Sequence, residues 1–97
     1  MKVTYSRRAV ADLAQIGSYL AERSPTGAVA VERRIHTVVE LIARFPSSGR
    51  MVMARPAVRV IPLGRYPLLI FYTAVDDELI VLHLRHAARE PIDPAEL

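Results

Sequence analysis

A chain of 97 residues with 52% hydrophobic content has the length of one domain and the composition of one packed core, which excludes a disordered chain. The absence of cysteine excludes a disulfide framework and a thiolate metal site. The cations behind the net charge of +3 are twelve arginines and a single lysine, Lys2, a balance that points to an anionic partner rather than a basic one.

In chain order, Val3 and Tyr5 alternate with Lys2 and Thr4, which predicts a short strand. Ser6 is a favoured N-cap for the amphipathic stretch that follows. From Arg7 to about Arg23, Val10, Leu13, Ile16 (or Gly17) and Leu20 recur every three or four residues and predict one helix face. Gly17 weakens that helix or admits a close backbone neighbour. Ser24-Pro25 restarts the pattern as N-cap and first helical residue. Val31, Ile35, Val38, Ile42 and Phe45 then mark the face of a second helix, which Pro46 stops. With so few residues between them, the two helices form an antiparallel hairpin.

Residues 46–57, PSSGRMVMARPA, are rich in turn formers and read as a loop without regular structure that carries Arg50 and Arg55. Val58 to Ile61 is a short strand closed by Pro62-Leu63-Gly64. Leu68 to Val75 is a near-continuous apolar run of the kind found in a central strand covered on both faces. Asp76-Asp77 is the turn, and Glu78 to His86 is the last strand. Residues 90–97 form an acidic, proline-containing tail in which regular structure is not expected. The expected fold is a single α+β domain over residues 1–97, in the order β-α-α-β-β-β. Its helical hairpin packs on one face of a small, mainly antiparallel sheet.

No apolar run approaches the ~18 residues that span a bilayer, and MKVTYSRRAVADL has no signal-peptide core. A cytoplasmic protein without a membrane partner is the expectation. Charge is segregated along the chain. Between Leu41 and Val75 there are five arginines and no acid, and residues 1–89 carry thirteen cations against seven acids. A basic middle fits nucleic acid or an acidic protein segment. The plain alternative is a solvated arginine-rich face.

Uniform alternation along the last strand puts Ile80, Leu82 and Leu84 on the face under the helices. Leu79, Val81, His83 and Arg85 then share the open face, where Arg59 also points if it alternates with Val58 and Val60. On this reading Arg59, His83 and Arg85 line one surface, with Arg50, Arg65 and Arg89 at its rim. Arginine forks suit phosphate and carboxylate, and histidine exchanges a proton near neutral pH. Such a cluster is chemically sufficient for RNA cleavage and equally for holding an acidic helix or a nucleic-acid backbone. The structural alternatives are a packed His83, an outward Arg85 paired with Glu78 or Asp76, and Tyr66 and Tyr72 as packing residues. His36, His83 and His86 make a poor metal site, and the chain carries no cofactor fingerprint, so neither metal nor cofactor is expected.

The segments GRYPLLIFYTAVDDELIVLHLRHAARE, FPSSGR and VTYSRRAVADLAQIGSYLAERSP together resemble the RelE/ParE toxins of type II toxin–antitoxin systems across nearly the whole chain. The resemblance implies a small bacterial toxin wrapped by a cognate antitoxin in a hetero-oligomer. Toxins resembling ParE inhibit DNA gyrase, and those resembling RelE cut mRNA at the ribosome. For a RelE-like nuclease, Arg59 and Arg85 match the cationic strand positions, His86 a terminal acid or base, and His83 lies beside them. Lys2 is the only lysine and no tyrosine follows Tyr72, which departs from the nuclease pattern and favours the ParE-like branch.

Overall fold

The computed structural model describes residues 1–88. Seven elements follow one another. They are β1 (Lys2–Tyr5), α1 (Arg7–Arg23), α2 (Pro25–Arg44), β2 (Arg50–Val52), β3 (Arg55–Pro62), β4 (Leu68–Val75) and β5 (Glu78–His86). The strands form one sheet in the order β1-β5-β4-β3-β2. Strands β1 and β5 pair in parallel, and the other neighbours pair antiparallel. The α+β architecture with a helical hairpin on a mainly antiparallel sheet is as expected, with one strand more. The tail at residues 90–97 lies outside the described residues.

Both helices start where their caps dictate. The Ser6 hydroxyl accepts from Ala9 N and the Ser24 hydroxyl from Gly27 N, with Pro25 in the first turn of α2. Ser6 also donates to the Leu82 carbonyl at 2.8 Å, which ties the α1 cap to β5. The buried face of α2 is Val31, Ile35, Val38, Val39 and Ile42, while Phe45, at the C-cap, is exposed. On α1 the buried positions are Ala9 and Asp12, flanked by half-buried Leu13, Ile16 and Leu20. Of the expected face Leu13, Ile16 and Leu20 turn to the core, while Val10 is 56% exposed and Ala9 and Asp12 are buried in its place. No neighbour comes near Gly17, whose Cβ position is open space.

The stretch 46–57 is not an unstructured loop. Arg50, Met51 and Val52 pair with Val60, Arg59 and Arg55, so a tight turn at residues 53–54 makes β2 and β3 a hairpin. Its turn-forming composition hid β2 and the start of β3, and Pro56 is tolerated because it lies in the register shift between Arg55 and Arg59, where it has no paired residue on β2. Tyr72, fully buried on β4, anchors the segment that leads into it. Its hydroxyl donates to Pro46 O at 2.7 Å and accepts from Gly49 N at 2.9 Å. A Cβ at Gly49 would lie 2.7 Å from that oxygen, and only glycine permits the approach.

The phase of β5 differs from simple alternation. Tyr72 pairs with Val81 but Phe71 pairs with His83, so Leu82 is an extra residue in the ladder. Before the bulge Leu79 and Val81 face the helices, and after it Leu84 does. Leu82 joins Val58, Val60 and Phe71 in a second cluster on the open face. The expectation that Ile80 and Leu82 lie under the helices is therefore corrected, and Leu84 alone of that trio is there. Asp76 supplies the left-handed residue of the β4–β5 turn, with φ of 54°.

Candidate functional site

Past the end of β1, the edge of β5 has no strand beside it. Helix α1 runs along it instead, and its polar side chains complete the ladder. The Asp12 Oδ2 atom accepts from Leu84 N at 3.0 Å and from His83 Nδ1 at 2.5 Å. Because a carboxylate only accepts, the proton of that contact sits on Nδ1. The half-exposed Arg8 guanidinium lies 3.5 Å from the other Asp12 oxygen, one helical turn back. His83 is 5% exposed, and its ring stacks on Phe71 at 5.8 Å between centroids with a 28° tilt. Buried polar groups need such partners, since an unpaired one costs about 1–3 kcal/mol. Among the described residues no buried side-chain nitrogen or oxygen lacks one.

Arg85 is half-buried and paired across the ladder with Leu69, which puts it on the open face; exposed His86 pairs with Leu68 on the helix face. His86 Nδ1 accepts from Ala88 N at 3.1 Å. Residues His83, Arg85 and His86 line an open groove between α1 and the end of β5, whose other wall includes Arg8, Gln15 and Tyr66. Strand alternation puts His83 and Arg85 together and sets His86 apart, and the groove is lined by all three.

Arg59 does not join them. It pairs with Tyr72, and cross-strand partners share a face, so it points to the helix side of β3. Its Nη1 donates to Gly49 O at 2.7 Å and to Ser47 O at 3.4 Å, holding the turn after α2. The surface of Arg59, His83 and Arg85 expected from strand alternation is not formed. Arg50 is exposed on β2 and shares the open face with Val60. Arg65 is exposed, with its guanidinium 5.5 Å from the Tyr66 ring centre. Arg89 lies outside the described residues. Among those described, no group of three His, Asp or Glu side chains is placed to hold a metal. No described helix is long and apolar enough to cross a membrane.

Asp12 was missed from sequence. The predicted face of Val10, Leu13, Ile16 and Leu20 leaves Asp12 to one side, so no local signal marked this carboxylate as buried. Its partner, 71 residues away, depends on the parallel β1–β5 pairing. An aspartate that orients a histidine through Nδ1 is an arrangement used in general-base catalysis. Here the same oxygen also caps a strand amide and the imidazole is packed on Phe71, so the pair closes the sheet edge.

Comparison with known proteins adds a second line. A family profile described as the ParE toxin of type II toxin–antitoxin systems, parDE, matches residues 3–91. The chain is 34% identical over 90 residues to Toxin RelE2 of Caulobacter vibrioides, covering 91% of this chain and 97% of that protein. It is 29% identical over 89 residues to Putative toxin Y4kP of Sinorhizobium fredii, covering 92% and 91%. Its fold is similar to a chain of the solved structure "Chromosomal ParDE TA system from P. aeruginosa", with a TM-score of 0.76 and 24% identity. That match covers 89% of this chain and 95% of the other.

Proposed function

This chain belongs to the ParE toxin family of type II toxin–antitoxin systems, and from that premise we propose that it arrests growth in the cytoplasm by binding DNA gyrase, without cutting a nucleic acid. The observation that supports this best is where the candidate nuclease groups are committed. Arg59 holds the carbonyls of Ser47 and Gly49, and His83 is held by Asp12 and stacked on Phe71. Cationic groups that stabilise a transition-state phosphate must converge on it, and these two are on different faces of the sheet. The test is a supercoiling assay with purified chain and gyrase in the absence of ribosomes. Inhibition, or trapped cleaved DNA, is the expected result; unchanged gyrase activity at a large excess of the chain sinks the reading.

The identity to Toxin RelE2 favours a second reading, ribosome-dependent cleavage of mRNA by Arg85 and His86 with Arg59 and His83 in support. Expression would then create new mRNA 5′ ends within codons, and Arg85→Ala would abolish them with the fold intact. Growth arrest with intact transcripts rejects it.

On either reading a cognate antitoxin neutralises the chain in a hetero-oligomer, as the family and the ParDE neighbour support. It packs apolar side chains against the helical hairpin or the sheet and sets acids opposite the arginines, Arg50, Arg65, Arg85 and Arg89 among them. Salt then slows association more than it speeds dissociation, because exposed charge mainly steers encounter.

A further inference from the structure

The groove beside the end of β5 carries two tyrosines that neither reading uses. Arg8, Asp12, Gln15 and Tyr19 follow one another at helical spacing and line its α1 wall. The helical rise makes that wall about 16 Å long. Tyr66 stands on the other side with His86. The cavity between the walls measures about 1170 Å³, more than the roughly 300–1,000 Å³ of a site for one small molecule. Its length and volume fit an extended chain. Tyr19 is 56% exposed and Tyr66 is half-buried. Arg23 lies over the Tyr19 ring, 3.6 Å from its centre, and Arg65 over the Tyr66 ring at 5.5 Å. The one acid among the described lining residues, Asp12, is turned to Leu84 N, His83 and Arg8.

We propose that this groove binds single-stranded nucleic acid, with bases stacked on Tyr19 and Tyr66 and the backbone held by Arg8 and His86. Single strands bind where aromatic platforms line a groove that tracks the backbone, and every base has a face to stack. A guanidinium already occupies one face of each tyrosine, so the other face suits a planar base better than a further cation. His86 Nδ1 accepts from Ala88 N, which leaves the ring proton on Nε2 as a donor to a phosphate oxygen. The Gln15 amide both donates and accepts, as base edges require. A duplex keeps its base faces stacked on one another and offers the tyrosines none. An extended peptide meets a different obstacle. Adding a strand to β5 requires its free edge, and Ser6 already takes Leu82 O while Asp12 takes Leu84 N. Side chains must therefore do the reading. Arg8 faces Asp12 and Arg85 has a partner of its own, so stacking rather than charge carries the binding. The inference goes beyond gyrase binding and does not rest on it.

The experiment is fluorescence anisotropy of labelled oligothymidylate and oligouridylate of about twelve nucleotides, within the ~4–16 that such grooves cover, titrated with the purified chain. A single strand should bind at least about fivefold tighter than a duplex of the same length. Tyr19→Ala and Tyr66→Ala should each weaken binding at least about fivefold, as one lost base stack does. Tyr19→Phe keeps the ring and should bind like the parent. So should Phe45→Ala, which removes an exposed aromatic ring outside the groove. Arg8→Gln should lower the salt slope by about 0.7, the share of one phosphate on a single strand. Circular dichroism checks the fold of each variant, and Tyr19→Ala, at an exposed position, stays readable if Tyr66→Ala does not fold. The DNA arm reads binding apart from any cleavage, because deoxyribose has no 2′-hydroxyl. Binding of either strand supports the inference, and the ratio of the two names the source. Equal affinity for the duplex, an unchanged Tyr19→Ala, or a loss in Phe45→Ala as large as in Tyr19→Ala overturns it. Binding of neither strand also overturns it, and an acidic peptide bound instead, more weakly in Tyr19→Ala, assigns the groove to a protein.

Discussion

The carboxylate of Asp12 on α1 and the Nδ1 atom of His83 on β5 meet at 2.5 Å, 71 residues apart in the chain and both buried. This contact, with the Leu84 amide on the same oxygen, is how a helix substitutes for the strand that β5 lacks on that side.

Removing Asp12 should therefore be costly. Asp12→Ala leaves a buried amide and a buried imidazole N–H without acceptors, and about 3 kcal/mol of stability is expected to go. Arg8→Ala, on the half-exposed partner, should cost less than about 1 kcal/mol. Urea denaturation compares them. An Asp12→Ala variant within about 0.5 kcal/mol of the parent, inside the range of an ordinary surface change, would show that the pair does not hold the edge.

Tyr72 and Gly49 should behave as one unit. Tyr72→Phe deprives Gly49 N and Pro46 O of a buried partner and is expected to cost about 1–3 kcal/mol. Gly49→Ala drives a methyl into the Tyr72 ring and hydroxyl and should cost a similar amount through overpacking. The double variant should differ from the sum of the singles by at least about 0.5 kcal/mol, because the residues touch. Strict additivity in a thermal or urea series would count against the contact.

The bulge at Leu82 can be tested by its neighbours. Val81 is fully buried under the helices and Ile80 is half-buried on the other face. Val81→Ala should cost about 2 kcal/mol, and Ile80→Ala clearly less despite removing more carbon. The reverse ranking in denaturation midpoints would restore simple alternation. Val10→Ala, on the exposed side of α1, should be within about 0.5 kcal/mol of neutral.

Burial raises the Tyr5 phenol above its ordinary value of 10.0. The folded chain keeps that proton at a pH where the unfolded chain has begun to lose it. The associated stability is complete below about pH 10 and is lost as pH climbs from there through the raised folded value. Tyr5→Phe has no such proton, so parent and variant curves should run parallel to pH 9 and then converge or cross as the parent weakens. Curves that stay parallel to pH 11 would place Tyr5 in a water-like setting.

What the chain declares in advance is what depends on neighbours a few residues apart. Ser6 and Ser24-Pro25 announce both helix starts, because a cap is satisfied within one turn. Val31, Ile35, Val38 and Ile42 announce the buried face of α2, because 3.6-residue periodicity is local. The apolar body of β4 and β5 announces the central hairpin, and with it the family resemblance. The tertiary structure decided what depends on register. One extra residue at Leu82 reverses the faces of β5, and no local preference marks where a ladder takes up an unpaired residue. The pairing of Met51 with Arg59 turned a turn-rich loop into an edge hairpin and sent Arg59 to the helix face, away from Arg85. Asp12 lies off the predicted face of α1 and carries no local sign of burial. That it meets His83 follows only once β1 lies parallel to β5 and α1 is carried along the open edge, which no spacing in the chain encodes.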